Sequence, residues 1–434
     1  MAITGRAVLL AVLSAPLAWL LAPLGGWGVF LGLTGVVVAL ILLDTALAAS
    51  PRRVGLTHDG DSSVRLGESA SVRLVVVNES GRRLRAVVRD AWPPSAHATP
   101  RTHTVDVPAG RRRAVGMTLT PSRRGDQHAS GVTIRSLGPL GLGARQATHA
   151  AQWTVRGLPP FKSRRHLPGK LARLRELDGQ QRALVRGQGS EFDSLREYIP
   201  GDDVRSIDWR ATARSTSMVV RTWRPERDRR ILLVLDTSRT SAGRVGDTPR
   251  LDHSMDAALL LATLAAKAGD RVDMLAYDRQ PRARVEAHGR GSGVEALVRA
   301  MAPLEPELLE LNAPGLVTSV LTSQPKQRHL VVLLTDLNAA ALEDGLLPRL
   351  PALTARHLLL VAAVSDPRVD EMAQGRGDAR SVYEAAAAEH TRAERRRLTT
   401  ELQRHGVEVI DAPPDKIAPA LADAYIELKA AGRL

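Results

Sequence analysis

The sequence predicts a membrane-anchored multidomain chain: an N-terminal transmembrane helical hairpin, a small antiparallel β-sandwich, and an α/β domain on a doubly wound, Rossmann-like parallel sheet. Three observations carry this. Two apolar stretches occupy residues 1–50, short β-branched runs separated by turn residues occupy 51–155, and helix-length and strand-length apolar patterns alternate over 231–434. A polar, Arg/Asp-rich segment, 156–230, separates the last two.

With 434 residues, 44% of them hydrophobic, the chain can bury two soluble cores of about 100–200 residues each beside the apolar start. It has no cysteine, which excludes disulfides and thiolate metal or catalytic sites and fits a reducing compartment. The formal charge of +14 is unevenly placed: residues 51–230 carry 34 Lys and Arg against 17 Asp and Glu, and residues 231–434 carry 25 against 28.

The stretches 8–24 and 28–49 each approach the ~20 residues that cross a bilayer. Asp44 is their one charge. Residues 23–27, with two glycines and Trp27, suit a tight hairpin turn at interfacial depth. A cleaved signal peptide competes for the first stretch, but the second would still anchor the chain. Arg6 precedes the hairpin, Arg52 and Arg53 follow it, and its turn carries no Lys or Arg, so both ends are expected in the cytoplasm.

In 51–155 the runs 71–77, 86–88 and 132–134 are broken by 78–81, Pro93-Pro94 and 108–110, the spacing of a small sandwich. The arginines at 111–113 and 123–124 could meet anionic lipid or nucleic acid. A chain with 54 Arg and 6 Lys uses Arg by habit, and a solvated face is the preferred reading.

In 156–230 a helix is expected over 171–184 and turns at Pro159-Pro160 and 200–202. Asp202, Asp203 and Asp208 lie among Arg196, Arg205, Arg210 and Arg214, around Trp209. Nucleic-acid platforms want several exposed rings and few carboxylates. Near-equal acids and bases favour an internal network of guanidinium forks on carboxylates, and removal of Asp208 from a buried network would be costly.

From residue 231 the pattern reads strand 231–235, helix 251–268, strand 271–277, helices 294–301 and 314–322, strand 329–334, helix 340–355, strand 357–364, helix 382–405, strand 407–410 and helix 416–431. Open α/β sheets place sites at the carboxyl ends of their strands. There Asp236, Ser238 and Thr240 offer one carboxylate and two hydroxyls, ligands suited to Mg²⁺ or Mn²⁺. Taken alone, they equally suit a turn or a helix cap. Asp336, closing a second central strand, supplies the second carboxylate such a site needs. Without metal, two facing carboxylates would repel, so loss of Asp236 is expected to spare the fold. No phosphate loop, nucleophile elbow, His-Glu-x-x-His or dinucleotide glycine pattern is present, so no nucleotide cofactor is expected and a non-enzymatic role is preferred.

The run EFDSLREYIPGDDVRSIDWRATAR over 191–214, followed by VVRTW and the strand ending at Asp236, closely resembles the bacterial family known as domain of unknown function 58, or DUF58. Its distinctive positions here are Arg196, Tyr198, Gly201, Asp202, Asp203, Arg205, Asp208, Trp209 and Arg214. The resemblance implies a multi-pass bacterial inner-membrane protein with cytoplasmic soluble domains and a C-terminal von Willebrand factor A-like domain. In that domain Asp236, Ser238, Thr240 and Asp336 would form a metal ion-dependent adhesion site, completed by a threonine from a loop near 310–312 or by Thr318. It also implies partnership with a MoxR-type AAA+ ATPase. The expected function is a membrane-anchored adaptor that binds a protein ligand at the cation site and serves the maturation of protein complexes. A metal-dependent hydrolase or phosphatase, and a membrane-tethered nucleic-acid binder, are the rivals.

Overall fold

The computed structural model describes residues 2–21, 23, 26–184, 191–200, 202–215, 217–224, 229–286, 293–323 and 328–434. They fall into two units, Met1–Leu158 and Pro159–Leu434.

In the first unit β1 (Ala2–Ile3) leads into helices α1 (Gly5–Leu20) and α2 (Gly26–Leu47). α2 has 22 residues, and is long and apolar enough to cross a membrane. α1 has 16 residues with Pro16 inside, about 24 Å at 1.5 Å per residue, short of the ~30 Å of hydrocarbon. Of the two expected spans only α2 has the full length, because the first helix stops at Leu20 rather than 24.

Strands β2 (Val54–Gly60), β3 (Ser63–Arg65), β4 (Ala70–Asn78), β5 (Leu84–Ala91), β6 (Thr102–Val107), β7 (Arg112–Leu119), β8 (Gly125–His128), β9 (Gly131–Leu137), β10 (Gly143–His149) and β11 (Thr154–Leu158) follow. They form sheets in the orders β2-β4-β7, β1-β10-β9-β5-β6 and β3-β11-β8. Pairing is antiparallel except that β3 runs parallel to β11. Period-2 alternation sends Val72, Leu74 and Val76 of β4 and Leu84, Ala86 and Val88 of β5 into one core, while Ser71, Arg73 and Arg85 face out. Arg111, Arg112 and Arg113 are exposed, whereas Arg124 is buried.

Asp44 ties α2 to this sandwich. Fully buried, its carboxylate accepts the N–H groups of Leu140 and Leu142 at 2.7 Å and of Gly143 at 2.9 Å. The Thr4 hydroxyl donates to the carbonyls of Gly141 and Leu142 in the same turn. Close approach demands glycine: a Cβ at Gly143 would lie 1.9 Å from the Thr45 hydroxyl, and one at Gly138 2.3 Å from Cγ of Asp44. Asp44→Ala leaves the buried N–H groups of Leu142 and Gly143 and the partly buried one of Leu140 without an acceptor, at about 1–3 kcal/mol for each buried group. Thermal melts of the detergent-solubilised chain should show a marked drop for Asp44→Ala, and an unchanged melting temperature would deny the tie.

The second unit begins with α3 (Leu167–Leu184), the antiparallel pair β12 (Glu191–Glu197) and β13 (Val219–Arg224), and between them the one-turn helix α4 (Trp209–Thr212). Then come β14 (Arg230–Asp236), α5 (Arg239–Ala242), the short ribbon of β15 (Arg244–Val245) and β16 (Thr248–Pro249), α6 (Arg250–Lys267), β17 (Arg271–Tyr277), β18 (Pro281–Val285), α7 (Gly293–Met301) and α8 (Ala313–Ser323). The remainder is β19 (Leu330–Leu334), α9 (Ala339–Ala341), α10 (Leu350–Thr354), β20 (Leu358–Val364), α11 (Pro367–Ala373), α12 (Ala379–Arg404), β21 (Glu408–Ala412) and α13 (Ile417–Ala430).

The main sheet runs β18-β17-β14-β19-β20-β21. Five strands are parallel and β18 is an antiparallel edge. Burial on both faces explains the unbroken apolar runs. Alternate residues, including Leu232, Val234, Leu275, Val331, Leu333, Leu359 and Val361, pack with Leu316, Val320, Leu346, Leu353, Leu398 and Leu402 from the α8, α10 and α12 side. The other set, such as Ile231, Leu233 and Leu235, is buried equally, with α6, α7 and α13 touching the strands. The helix expected over 340–355 is instead a π turn, Leu342–Leu346, then a 3₁₀ turn, Leu347–Arg349, and α10. Pro348 and Pro351 lack N–H groups and Gly345 is a poor helix former, so a continuous ladder cannot form.

Candidate functional site

Parallel pairing brings the carboxyl ends of β17, β14 and β19 side by side. Each ends on an aspartate turn. Asp236 is 1% exposed and fully committed: Oδ1 accepts the N–H of Ser238 at 2.8 Å, and Oδ2 accepts the hydroxyls of Thr240 at 2.8 Å and Thr335 at 2.5 Å. The hydroxyls of Ser238 and Thr240 lie 3.1 Å apart. Asp236, Ser238 and Thr240 therefore converge as the spacing predicted. Asp278, after β17, is buried and accepts the N–H groups of Arg279 and Gln280 and the Thr237 hydroxyl.

Asp336 is bound differently. Its carboxylate takes the Arg395 guanidinium of α12 at 2.7 Å and that of Arg250 of α6 at 3.3 Å. Arg395 also grips Asp411 of β21 through two hydrogen bonds, at 3.0 and 2.7 Å. Burial works to lower the Arg395 pKa, but its hydrogen bonds to Asp411 and the charges of Asp336 and Asp411 outweigh it and hold it above the ordinary arginine value. The facing repulsion expected of Asp236 and Asp336 is thus corrected: one carboxylate is held by hydroxyls and the other by arginines.

A cleft of about 310 Å³ opens at this edge, lined by Ser238, Arg239, Thr240, Glu310, Asp344 and neighbours. The loop threonine sought elsewhere does not reach it. Thr318 donates to its own helix at the Pro314 carbonyl, and the Asn312 side chain accepts from the N–H of Gly315. Besides Thr240, the hydroxyl that reaches Asp236 is that of Thr335, immediately before Asp336. Among the described residues no group of three or more His, Asp or Glu that could hold a metal ion is found; Asp236 is ringed by hydroxyls, and the carboxylates of Glu310 and Asp344 line the cleft itself.

The Arg/Asp segment is a surface structure. Arg196 forks onto Asp202 at 2.7 and 2.6 Å. Asp203 caps a short turn through the N–H of Arg205, and Asp208 caps α4 while accepting Arg221 at 2.9 Å. Hydrogen bonds from the N–H of Ala211 first, and then from Arg221, hold the Asp208 carboxyl below its usual range. The Tyr198 N–H donates to the Met218 carbonyl. Side-chain exposures of 35% for Arg196 and 47% for Arg221 correct the expected buried network, because a two-stranded pair has too little depth to bury it. Trp209, Arg205 and Arg214 are exposed, and Gly201 lies outside the described residues.

Arg395→Met should leave Asp336 and Asp411 without their shared cation, a loss of about 3–5 kcal/mol for a broken buried pair. Adding Asp336→Asn should recover part of the melting temperature in a double-mutant cycle. Strict additivity would show that the two side chains do not interact.

Residues 194–408 match a family model described as protein of unknown function DUF58. An uncharacterized protein of Mycobacterium tuberculosis is 29% identical over 197 residues, 45% of this chain and 61% of that protein. An uncharacterized protein of Mycobacterium bovis matches to the same extent, so the match spans less than two thirds of either relative. Among solved structures, the CARDB domain of a Pyrococcus furiosus protein in complex with di-metal ions is similar over 24% of this chain and 91% of that one, at 14% identity and a TM-score of 0.19. The segment that carries the Arg196–Asp202 fork, the Asp236 turn and the Asp336 bridge is thus a DUF58 family domain, residues 194–408.

Proposed function

We propose that this chain is a membrane-anchored, non-enzymatic adaptor whose second unit is a von Willebrand factor A-like domain that engages a protein ligand at the carboxyl edge of its sheet. The observation that carries this reading is the cleft beside Asp236, where Ser238 and Thr240 place two hydroxyls next to one buried carboxylate. These three residues fit a Mg²⁺ or Mn²⁺ ion, which would offer a vacant position to a carboxylate of the partner. Asp336, already neutralised by Arg395 and Arg250, is not needed in that set. A single protein carboxylate makes for weak cation affinity, so the partner's own carboxylate completes the shell.

Anchoring in the inner membrane with both soluble units in the cytoplasm is supported by α2 and by the way β1 and Asp44 meet the same β9–β10 region. The partner class implied by the family resemblance is a MoxR-type AAA+ ATPase, with maturation or remodelling of protein complexes as the shared task.

Capture of a MoxR-type ATPase from the same genome by the solubilised full-length chain tests this. Capture should weaken by about tenfold or more, at least 1.4 kcal/mol, on chelation of divalent ions and in Asp236→Asn. Capture indifferent to both would contradict a cation-assisted interface.

A further inference from the structure

The turn-rich segment 195–221 has exposed apolar groups that its own fold does not use. Ile207 and Val220 pack inward, but Trp209 is 65% exposed, Val204 and Ile199 60%, and Met218 45%. Burial of even part of this surface by a partner would be favourable.

Its five arginines and four acids are nearly equal in number but differently engaged. The four acids are all engaged locally: Glu197 accepts the Ser217 hydroxyl, Asp202 is forked by Arg196, Asp203 caps a turn, and Asp208 caps α4 and holds Arg221. Arg205, Arg210 and Arg214 are exposed and have no carboxylate partner among the described residues. Three guanidinium groups without a carboxylate partner among the described residues therefore stand within one short stretch that also presents Val204 and Trp209. Trp, Met and Arg are the residue types that interface cores and hot spots favour.

We infer that this segment is a second docking surface, independent of the Asp236 cleft, for an acidic protein segment carrying apolar side chains. Carboxylates of the partner fork onto Arg205, Arg210 and Arg214, and its apolar groups cover Trp209 and Val204. An anionic bilayer suits the surface less well, because Asp203 is also exposed. A uniform negative plane would meet that carboxylate, whereas a discrete partner can place its charges around it.

The test uses the full chain in phosphatidylcholine nanodiscs and a fluorescent peptide of alternating Glu and Leu, with a Lys-for-Glu peptide as control. The acidic peptide should bind, and Trp209→Ala or the triple Arg205→Ala, Arg210→Ala, Arg214→Ala variant should weaken it by about tenfold or more. Chelator and Asp236→Asn should leave this binding unchanged, which separates it from the cleft. Charge reversal of the three arginines to Glu should transfer preference to the Lys peptide, a gain that a misfolded variant cannot give. Equal binding of both peptides by the native chain, unchanged binding in the variants, or binding to phosphatidylserine vesicles in place of the peptide would overturn the inference.

Discussion

The carboxyl edge of the parallel sheet depends on the neutralisation of Asp336 from both faces. α12 sends Arg395 from one side and α6 sends Arg250 from the other, while Asp411 of β21 shares Arg395. A carboxylate buried at a strand end is costly unless paired. Here the pairing also links elements that no backbone ladder connects. With that charge balanced inside the protein, Thr335 turns its hydroxyl to Asp236, a buried carboxylate behind the Ser238 and Thr240 hydroxyls of a cleft that Glu310 and Asp344 also line.

This division of labour bears on function. A hard divalent ion needs several oxygens and favours carboxylates. An edge that commits one of its two central aspartates to arginines has less negative charge for such an ion and more reliance on an incoming ligand. That balance fits the reversible, partner-dependent binding proposed for this edge. It also leaves the Arg205–Arg214 stretch as a separate positive surface in the same unit.

The sequence disclosed most of the second unit because parallel strands buried on both faces write themselves as unbroken apolar runs. The strand expected at 271–277 is β17 to the residue, and α6 differs by one residue at each end. β18 and α11 escaped. Pro281 and the flanking arginines disguised an edge strand, although Asp366-Pro367 is a readable helix start, with an Asp cap and Pro at the first position. At the site, the Asp-x-Ser-x-Thr spacing gave three converging residues because a single tight turn positions all of them. Thr335 was adjacent to a chosen residue, yet its role appears only when β19 lies beside β14. Arg395 could not be found by spacing: it reaches Asp336 across 59 positions, and nothing in a helix rich in arginine marks one as different. The Arg/Asp segment misled because near-equal charges look alike whether they cap exposed turns or fill a core.

Uptake of Mn²⁺, followed by the electron paramagnetic resonance signal of the free ion, distinguishes the two aspartates. If Asp336 is balanced by arginine and Asp236 is the ligand, Asp236→Asn and Ser238→Ala lose uptake, Asp336→Asn keeps it, and Arg395→Met tightens it by releasing a carboxylate. Loss of uptake in Asp336→Asn equal to that in Asp236→Asn would show that the arginines yield to the ion, and would contradict the assignment.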